Sequence, residues 1–374
     1  MSQNHPLNQF DKSQLIAIAQ NFFPQSQITD IKPFGSGNIN DTFLVSLQGI
    51  EAQSFILQRI NTNVFREPKL VMRNMRIYGE HVSDRLAKQP LDRRWDVPQI
   101  FTTAQSQDYW QTENGEYWRS LSFIAGSQSF DAIVNTQQAR EVGYALGTFH
   151  HLTSDLAPER LADTLEGFHI TPRYLQQYLE VLAKGSIKKS IEVDYCLKFV
   201  GDRHNLAHIL EDAKAAGKLR LRVMHGDPKV NNILFDQKTN LAVSVIDLDT
   251  VKSGLVHYDI GDCLRSGCNL AGEEIEQWES VRFETEFCQG ILQGYLPIAR
   301  SFLTDHDYAY IYDAIRVITF ELGLRFFTDY LAGNVYFHVK YPEHNLWRSL
   351  VQFRLVESIE AQESVINQII KDIR

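Results

Sequence analysis

The hydrophobic periodicity of the chain changes once along its length, and this limits the possible folds more than any other feature. From about residue 28 to about residue 124 the apolar residues alternate, as strands of a half-buried sheet require. Ile31 to Phe34 and Thr42 to Leu47 flank a glycine-bearing turn, and Ser54 to Ile60 is a third apolar strand. A helix interrupts them: Pro68 stands where a first helical turn begins, and the pattern runs to Leu86. Asn114-Gly115, a dipeptide favoured in type I′ turns, separates the strand-like stretches Asp108 to Glu113 and Glu116 to Ile124. Beyond residue 130 the spacing becomes helical. Ala139, Val142, Leu146, Phe149 and Leu152 share a face, and helices are expected near 172–184, 194–216, 274–300, 307–332 and 345–372. The 374 residues therefore read as an α+β protein of two unequal lobes: a small, mainly antiparallel β lobe over 1–125 and a larger, mainly helical lobe over 126–374, hinged near Ala125-Gly126-Ser127.

Composition narrows the class without naming a chemistry. Hydrophobic residues at 44% and charged residues at 22% exclude a disordered chain, a collagen and a membrane bundle. The formal charge of −9 is opposite in sign to the footprint of a general nucleic-acid binder. No apolar run reaches the ~18 residues of a membrane span. The opening residues MSQNHPLNQFDKSQLIAIAQ lack the charged-then-apolar order of a secretion signal. Cys196, Cys263, Cys268 and Cys288 form no C-x-x-C pair and read as reduced thiols. The expectation is a cytoplasmic protein with no nucleic-acid or membrane partner. Its oligomeric state is open.

Two strand-like alternations interrupt the helical half, Leu219/Leu221/Val223 and Leu241/Val243/Val245, and the densest polar cluster in the chain lies between them. It reads VMHGDPKVNNILFD over 223–236, and VIDLDT follows with Asp247 twenty residues after Asp227. Two carboxylates and an amide at strand ends suit a divalent cation and phosphate. Mg²⁺ prefers hard oxygen ligands and keeps waters and substrate phosphates for the rest of its shell. Asn232 and Asp247 can supply such oxygens, Asp227 is then free to accept a hydroxyl proton, and Lys229 can aim a positive charge at a transferring phosphate.

The pattern H-G-D-x-x-x-x-N followed by I-D-x-D, at His225, Gly226, Asp227, Asn232 and Asp247, resembles that of the aminoglycoside phosphotransferase-like kinases, relatives of the protein kinases. The resemblance implies a bilobal protein-kinase-like fold, ATP and Mg²⁺ as cofactors, Asp227 as base, and Asn232 and Asp247 as metal ligands. Within HYDIGD, 257–262, it implies that Asp259 is structural and bonds the backbone of the catalytic loop. His150 and His151, in LGTFHHL, read as packing residues rather than ligands. FILQRINTNVFREPKLVMRNM, residues 55–75, and the run from Phe320 to Phe353 look like the bacterial N-acetylhexosamine 1-kinases, as do KVNNILFD and VIDLDTV. That likeness implies a small-molecule sugar acceptor phosphorylated at its anomeric hydroxyl.

On the nucleotide side, Gly35 and Gly37 fit a hairpin whose backbone approaches phosphate, and Leu121 and Phe123 lie in the stretch expected to face adenine. The kinase pattern asks for a lysine on the third strand. Gln58 stands there, and Arg59 falls on the opposite face by alternation, so either is open as the phosphate contact. Glu80 or Glu67 would supply the helix carboxylate. On the acceptor side, Arg325 continues the stripe Ile311, Ile315, Ile318, Leu322, so a guanidinium stands where an apolar residue is expected and needs a partner or a polar cavity. The competing reading is an i,i+4 ladder of Glu321, Arg325 and Asp329 on a solvated face. His344, Asn345, Arg348, His169 and Arg173 are further acceptor candidates. The alternatives to a sugar kinase are a kinase of choline, homoserine or an aminoglycoside, and a nucleotide-binding pseudokinase module, for which Gln58 in place of lysine is the motive.

Overall fold

The structure is a computed structural model and describes residues 10–35, 39–49, 54–185 and 189–374. They form two compact units. One takes the residues up to Ser127 together with Glu159–Glu166 and Leu248–Lys252, and the other takes Gln128–Pro158, Gly167–Asp247 and Ser253–Arg374. Where the sequence suggests a single boundary at residue 125, the chain leaves the first unit after Ser127 and rejoins it twice. The physical reason is a set of bonds between residues distant in sequence. Asn74 Nδ2 donates to the carbonyls of Ala162 at 2.8 Å and Val251 at 3.0 Å, while Ala162 N–H donates to Asn74 Oδ1 at 2.9 Å. Lys252 pairs with Asp163 at 2.6 Å.

The first unit contains α1 (Lys12–Gln20), β1 (Ile28–Pro33), β2 (Asp41–Leu47), β3 (Ser54–Ile60), α2 (Pro68–Lys88), β4 (Ile100–Phe101), β5 (Trp110–Gln111) and β6 (Tyr117–Ser122). Asp11 and Gln14 cap α1 reciprocally, and Pro68 opens α2. The strands pair antiparallel in the order β1-β2-β3-β6-β4, with β5 also on β6. Alternation decides the two faces. Phe43, Val45, Phe55, Leu57 and Trp118 pack with Leu15, Ala19 and Phe22 of the α1 region. Gln58 and Arg119, directly opposite each other across β3 and β6, therefore share the other face. The Asn114-Gly115 turn is present, but only Gly115 has a left-handed φ (+83°), so it is not the type I′ form, which needs positive φ at both residues.

The second unit is mainly helical: α3 (Thr136–Thr153), α4 (Thr171–Lys184), α5 (Ile191–Arg203), α6 (Ile209–Ala215), α7 (Val256–Gly267), α8 (Thr285–Ala299), α9 (Asp305–Ala309), α10 (Ile311–Leu331), α11 (His344–Ala361) and α12 (Glu363–Ile373). Its strands are β8 (Arg222–Met224), β9 (Ile233–Asp236) and β10 (Ala242–Val245), while β7 (Ser127–Gln128) and β11 (Lys252–Gly254) are short strands at the unit boundaries. β9 and β10 form a hairpin with Ile233 opposite Val245. Four expected helices are shorter or divided, the one near 307–332 breaking at Tyr310 into α9 and α10. The one near 194–216 breaks into α5, a 3₁₀ turn at His204–His208 and α6; the one near 345–372 breaks at Gln362; and the one near 274–300 begins only at Thr285. The core beside α10 and α11 is largely aromatic, with Phe199 stacked on Phe353 at 4.4 Å.

α3 and α8 approach so closely that glycine is required at their contact. A Cβ on Gly143 would sit 1.8 Å from the Ile291 carbonyl oxygen, and one on Gly294 1.9 Å from that of Arg140. Gly79, inside α2, has open space where its Cβ would be. Gly143→Ala should therefore lower stability by about 1–3 kcal/mol through overpacking. Gly79→Ala should raise it by up to about 1 kcal/mol through helix propensity. Urea unfolding midpoints moving in opposite directions are the expected outcome.

Candidate active site

β8 ends in His225-Gly226-Asp227, and almost every polar atom of that loop is bound. Gly226 has φ +87°, a conformation that a side chain would strain. The buried Asp259 on α7 accepts from the backbone N–H of His225 (2.6 Å) and of Gly226 (2.8 Å), and lies 2.9 Å from His150 Nε2. His150 also meets the Tyr295 hydroxyl at 2.9 Å, so it is a packing and bonding residue. His225 Nε2 faces the Ile246 carbonyl at 2.9 Å, and its Nδ1 accepts from Asp227 N–H at 3.2 Å. That pattern fixes a neutral ring protonated at Nε2. Burial pushes its pKa down, in agreement.

Asp227, Lys229, Asn232 and Asp247 come together in the second unit. Lys229 Nζ is 2.8 Å from Asp227 Oδ2. Burial would raise the Asp227 carboxyl, but the Lys229 ammonium outweighs it and holds the group below the usual carboxylate range. Lys229 is held well above the usual lysine range: burial opposes its charge, and Asp227 and then Asp247 favour it. Asp227 is thus ionised at neutral pH. Asp247 follows β10 as an exposed residue with φ +63°, an uncommon backbone conformation for a residue with a side chain.

The donor set fits a hard divalent cation. The Asn232 side chain contacts two acceptors, the Asp227 carbonyl (2.8 Å) and Asp227 Oδ2 (3.2 Å), so its amide nitrogen faces them and Oδ1 is directed elsewhere as an acceptor. Among the described residues no three His, Cys, Asp or Glu side chains are arranged to hold a metal. Two protein oxygens, with phosphates and waters completing the shell, is the arrangement Mg²⁺ favours.

The proposed acceptor residues separate into two groups. Arg325 is largely buried on α10, its guanidinium 4.9 Å from the ring of Tyr174, 5.4 Å from Phe168 and 5.5 Å from Phe337. Glu321 lies 4.0 Å from it and is 0% exposed, which excludes the solvated ladder. His169 is buried with both ring nitrogens engaged, Nδ1 2.8 Å from Glu321 and Nε2 2.7 Å from the Gly226 carbonyl. The sequence reading of His169 as an acceptor contact therefore gives way to an internal bridge. Arg173 is exposed and lies over Gly167.

The other group is His344, Asn345 and Arg348 on α11. His344 is buried; its Nδ1 accepts from Lys340 N–H at 3.3 Å, and its Nε2 is 3.6 Å from Glu274. Arg348 pairs with Glu274 and lies over Phe326. Asn345 is fully buried and donates to Asp329 at 2.9 Å and Asn334 at 3.0 Å. Asp329 also accepts from the backbone N–H of Val335, Tyr336 and Phe337 at 2.8–2.9 Å. It thereby pins the loop that carries Phe337 to Arg325, a role no local sequence signal marks.

In the first unit Gln58 is occupied: Nε2 donates to Thr42 at 2.9 Å, and Oε1 accepts from Arg119 Nε at 2.9 Å. Arg59, on the opposite face, pairs with Asp41 and Glu116 at 2.6 Å each and lies over Phe10. The buried cation on the Gln58 face is Arg119, which the sequence reading missed. It pairs with Asp249 at 2.5 Å, both side chains being 1% exposed, and it contacts Met75 of α2. Neither expected helix carboxylate pairs with Arg119 among the described residues: Glu80 is exposed beside Arg76 at 3.9 Å, and Glu67 makes no capping bond. Gly35 has φ +77°, Phe123 packs edge-on against Phe34, and Leu121 lies in β6 opposite Ile56. Gly37 lies outside the described residues.

With this geometry in hand, residues 30–299 match the model of the phosphotransferase enzyme family, and the chain belongs to that family. Solved structures agree on the fold. A microcompartment-associated aminopropanol kinase matches with TM-score 0.60 at 15% identity, covering 94% of this chain and 98% of its own. An aminoglycoside phosphotransferase from Alicyclobacillus acidocaldarius matches with TM-score 0.59 at 15% identity, covering 100% and 98%. An amicoumacin kinase in complex with AMP-PNP and Ca²⁺ matches with TM-score 0.57 at 16% identity, covering 95% of each chain. The fold is thus that of the kinase-like small-molecule phosphotransferases. No helix among the described residues is long and apolar enough to cross a membrane.

The Arg119–Asp249 pair makes a direct test. Arg119→Met removes the charged partner of the buried Asp249 carboxylate, leaving it the Asn40 Nδ2 bond at 2.7 Å, and should cost about 3 kcal/mol. Replacing both residues (Arg119→Met with Asp249→Leu) should recover most of that loss in urea unfolding.

Proposed function

We propose that this chain is an ATP- and Mg²⁺-dependent kinase that transfers phosphate to the anomeric hydroxyl of an N-acetylhexosamine, N-acetylglucosamine or N-acetylgalactosamine. The observation that carries the kinase reading is the joint geometry of an ionised Asp227, Asn232 with its amide oxygen turned outward, and Asp247 at the end of β10. The nucleotide analogue and divalent cation of the amicoumacin kinase complex support the same cofactors.

The chain's residues act as follows. Asp227 accepts a hydrogen bond from the acceptor hydroxyl and takes its proton as that oxygen bonds to the γ-phosphorus of ATP and the bond from phosphorus to the bridging oxygen breaks, releasing ADP. Asn232 holds Asp227 through its amide nitrogen and, with Asp247, offers oxygen to Mg²⁺. The charge compensation that Mg²⁺, held by Asn232 and Asp247, would supply to the phosphates complements these roles. Lys229 exchanges its bond to Asp227 for the transferring phosphoryl group and compensates its charge. The transition state is loose, so positioning and charge compensation supply most of the rate.

Arg325 favours a neutral or anionic acceptor over a cationic one. With Asp247 set aside for Mg²⁺, the carboxylates named around Arg325 and Asp227 have internal partners. Glu321 holds His169 and Thr171, Asp262 and Glu273 hold Arg265, Glu274 holds Lys340 and Arg348, and Asp329 holds backbone amides. An ammonium acceptor therefore meets a guanidinium boxed by aromatic rings, whereas a sugar offers hydroxyls to that guanidinium and a C–H face to the rings.

Asp227→Asn should lower turnover by at least about 10³-fold while MgATP binding persists. Asp247→Ala should abolish the Mg²⁺-dependent part of ATP binding in calorimetry. Because the Asp227 pKa is depressed, its carboxylate form is complete above the ordinary carboxylate range and is lost only as pH falls through the lower folded value. The acid limb of kcat/KM should therefore lie below that range. A radiolabelled-ATP panel decides the acceptor. Transfer to choline or an aminoglycoside and to no hexosamine overturns the sugar reading, and MgATP binding without turnover on any acceptor favours the pseudokinase.

A further inference from the structure

His169 is set in a demanding place for a histidine. It lies two residues after Gly167 (φ +79°), itself has φ +58°, and stands two residues before the start of α4 at Thr171. Its ring is stacked on Tyr258 at 5.4 Å and lies 3.9 Å from Phe168. Its two nitrogens reach two different elements: Nε2 the Gly226 carbonyl at 2.7 Å, and Nδ1 Glu321 Oε1 of α10 at 2.8 Å.

The proton positions follow from the partners. A carbonyl only accepts, so Nε2 carries hydrogen. Glu321 Oε2 accepts from Thr171 Oγ1 at 2.7 Å, and Arg325 lies 4.0 Å from Oε1, so both oxygens of the carboxylate face donors. A carboxylate also only accepts, so Nδ1 carries hydrogen too and the ring is an imidazolium. The charged and titratable groups facing it are Glu321 and Arg325 on α10, Asp262 and Tyr258 on α7, and Tyr174 on α4. Burial alone would lower its pKa, but Glu321 outweighs burial and raises it.

The atom this imidazolium grips belongs to the peptide unit that leads into Asp227. The carbonyl of that unit goes to His169, and its N–H goes to His225 Nδ1. Gly226 N–H is held by Asp259 on α7. The peptide plane is thus fixed at both ends, and its tilt sets where the Asp227 carboxylate points.

We propose that His169 is a positioning residue for phosphotransfer: doubly protonated between Glu321 and the Gly226 carbonyl, it straps the catalytic loop to α10 and fixes the peptide that presents Asp227. A charge-assisted hydrogen bond is about twice as strong as a neutral one, which gives the imidazolium its advantage over a neutral side chain. Because the folded pKa is raised, the strap is complete below the ordinary histidine value of ~6.5 and is lost only as pH rises through the higher folded value.

This inference rests on the reading of Asp227 as base, and its test separates the two. His169→Asn suits the left-handed backbone but is too short to bridge. With whichever acceptor the wild-type protein uses in the panel above, kcat should fall at least about tenfold, as misplacing a reacting group does, with the KM for MgATP nearly unchanged; the thermal midpoint should fall, because the buried Glu321 loses its charged partner, so the kinetics are read well below it. Independently of any acceptor, nitrogen NMR of histidine-labelled wild-type protein, with His169 assigned from the His169→Asn spectrum, should show both its nitrogens still largely protonated at about pH 6.5, where an unperturbed ring has lost half of its second proton. In Glu321→Gln the second proton should leave at lower pH. A singly protonated His169 at that pH in the wild type, or a folded His169→Asn protein whose kcat stays within about twofold, overturns the proposal. If His169→Asn does not fold, the nitrogen readings on wild type and Glu321→Gln decide it alone.

Discussion

The catalytic loop depends on one buried carboxylate. Asp259, fully removed from solvent, accepts from two consecutive backbone N–H groups, those of His225 and Gly226, and from His150. Burying a carboxylate is unfavourable unless its oxygens are satisfied. Here burial would raise its pKa, and His150 followed by His225 holds it down. In return the loop is tied to α7 at the residue where a left-handed glycine turns the chain toward Asp227. Two N–H groups in a row fit one carboxylate only if the backbone bends there, so the glycine and Asp259 require each other.

Two histidines hold opposite ends of the same peptide in different protonation states. His225, buried among acceptors and a donor, is neutral because each nitrogen has a partner of the matching kind. His169 meets acceptors on both sides and is charged. Burial acts on both rings in the same direction, so the difference comes from their partners alone.

Much of the architecture is readable in the chain because it follows from local periodicity. The alternation over β2 and β3, Pro68 at the start of α2 and the helical stripe of α3 all appear where the spacing places them. The grouping of Asp227, Lys229 and Asn232 is readable because these residues lie within a short span whose spacing is set by two strands and a loop. What escapes is whatever depends on register or on distant partners. Alternation correctly puts Gln58 and Arg59 on opposite faces, but only the pairing of β3 with β6 brings Arg119 to Gln58. The apolar stripe of α10 marks Arg325 as out of place; that Glu321 is buried beneath it, with His169 and Thr171 bound, depends on segments about 150 residues away. The return of Glu159–Glu166 and Leu248–Lys252 to the first unit is of the same kind, since Asn74 has no neighbour in sequence that announces it.

Arg119 shows what a sheet leaves open to sequence change. A cation on a given face can be supplied from either of two paired strands, because opposed residues project to the same side and lie close together. Here the third strand carries a neutral amide, and the next strand carries a guanidinium bonded to it. The pair with Asp249 keeps that charge oriented and paired out of water. Absence of lysine at one position is therefore weak evidence against a basic group on that face. The same argument applies to the whole-chain charge of −9. Most carboxylates near Asp227 and Arg325 are committed to internal cations or amides, so the sum over the sequence says little about which ligand charge the site will accept. Partner-by-partner accounting at the site itself is what distinguishes an acceptor that brings hydroxyls from one that brings an ammonium.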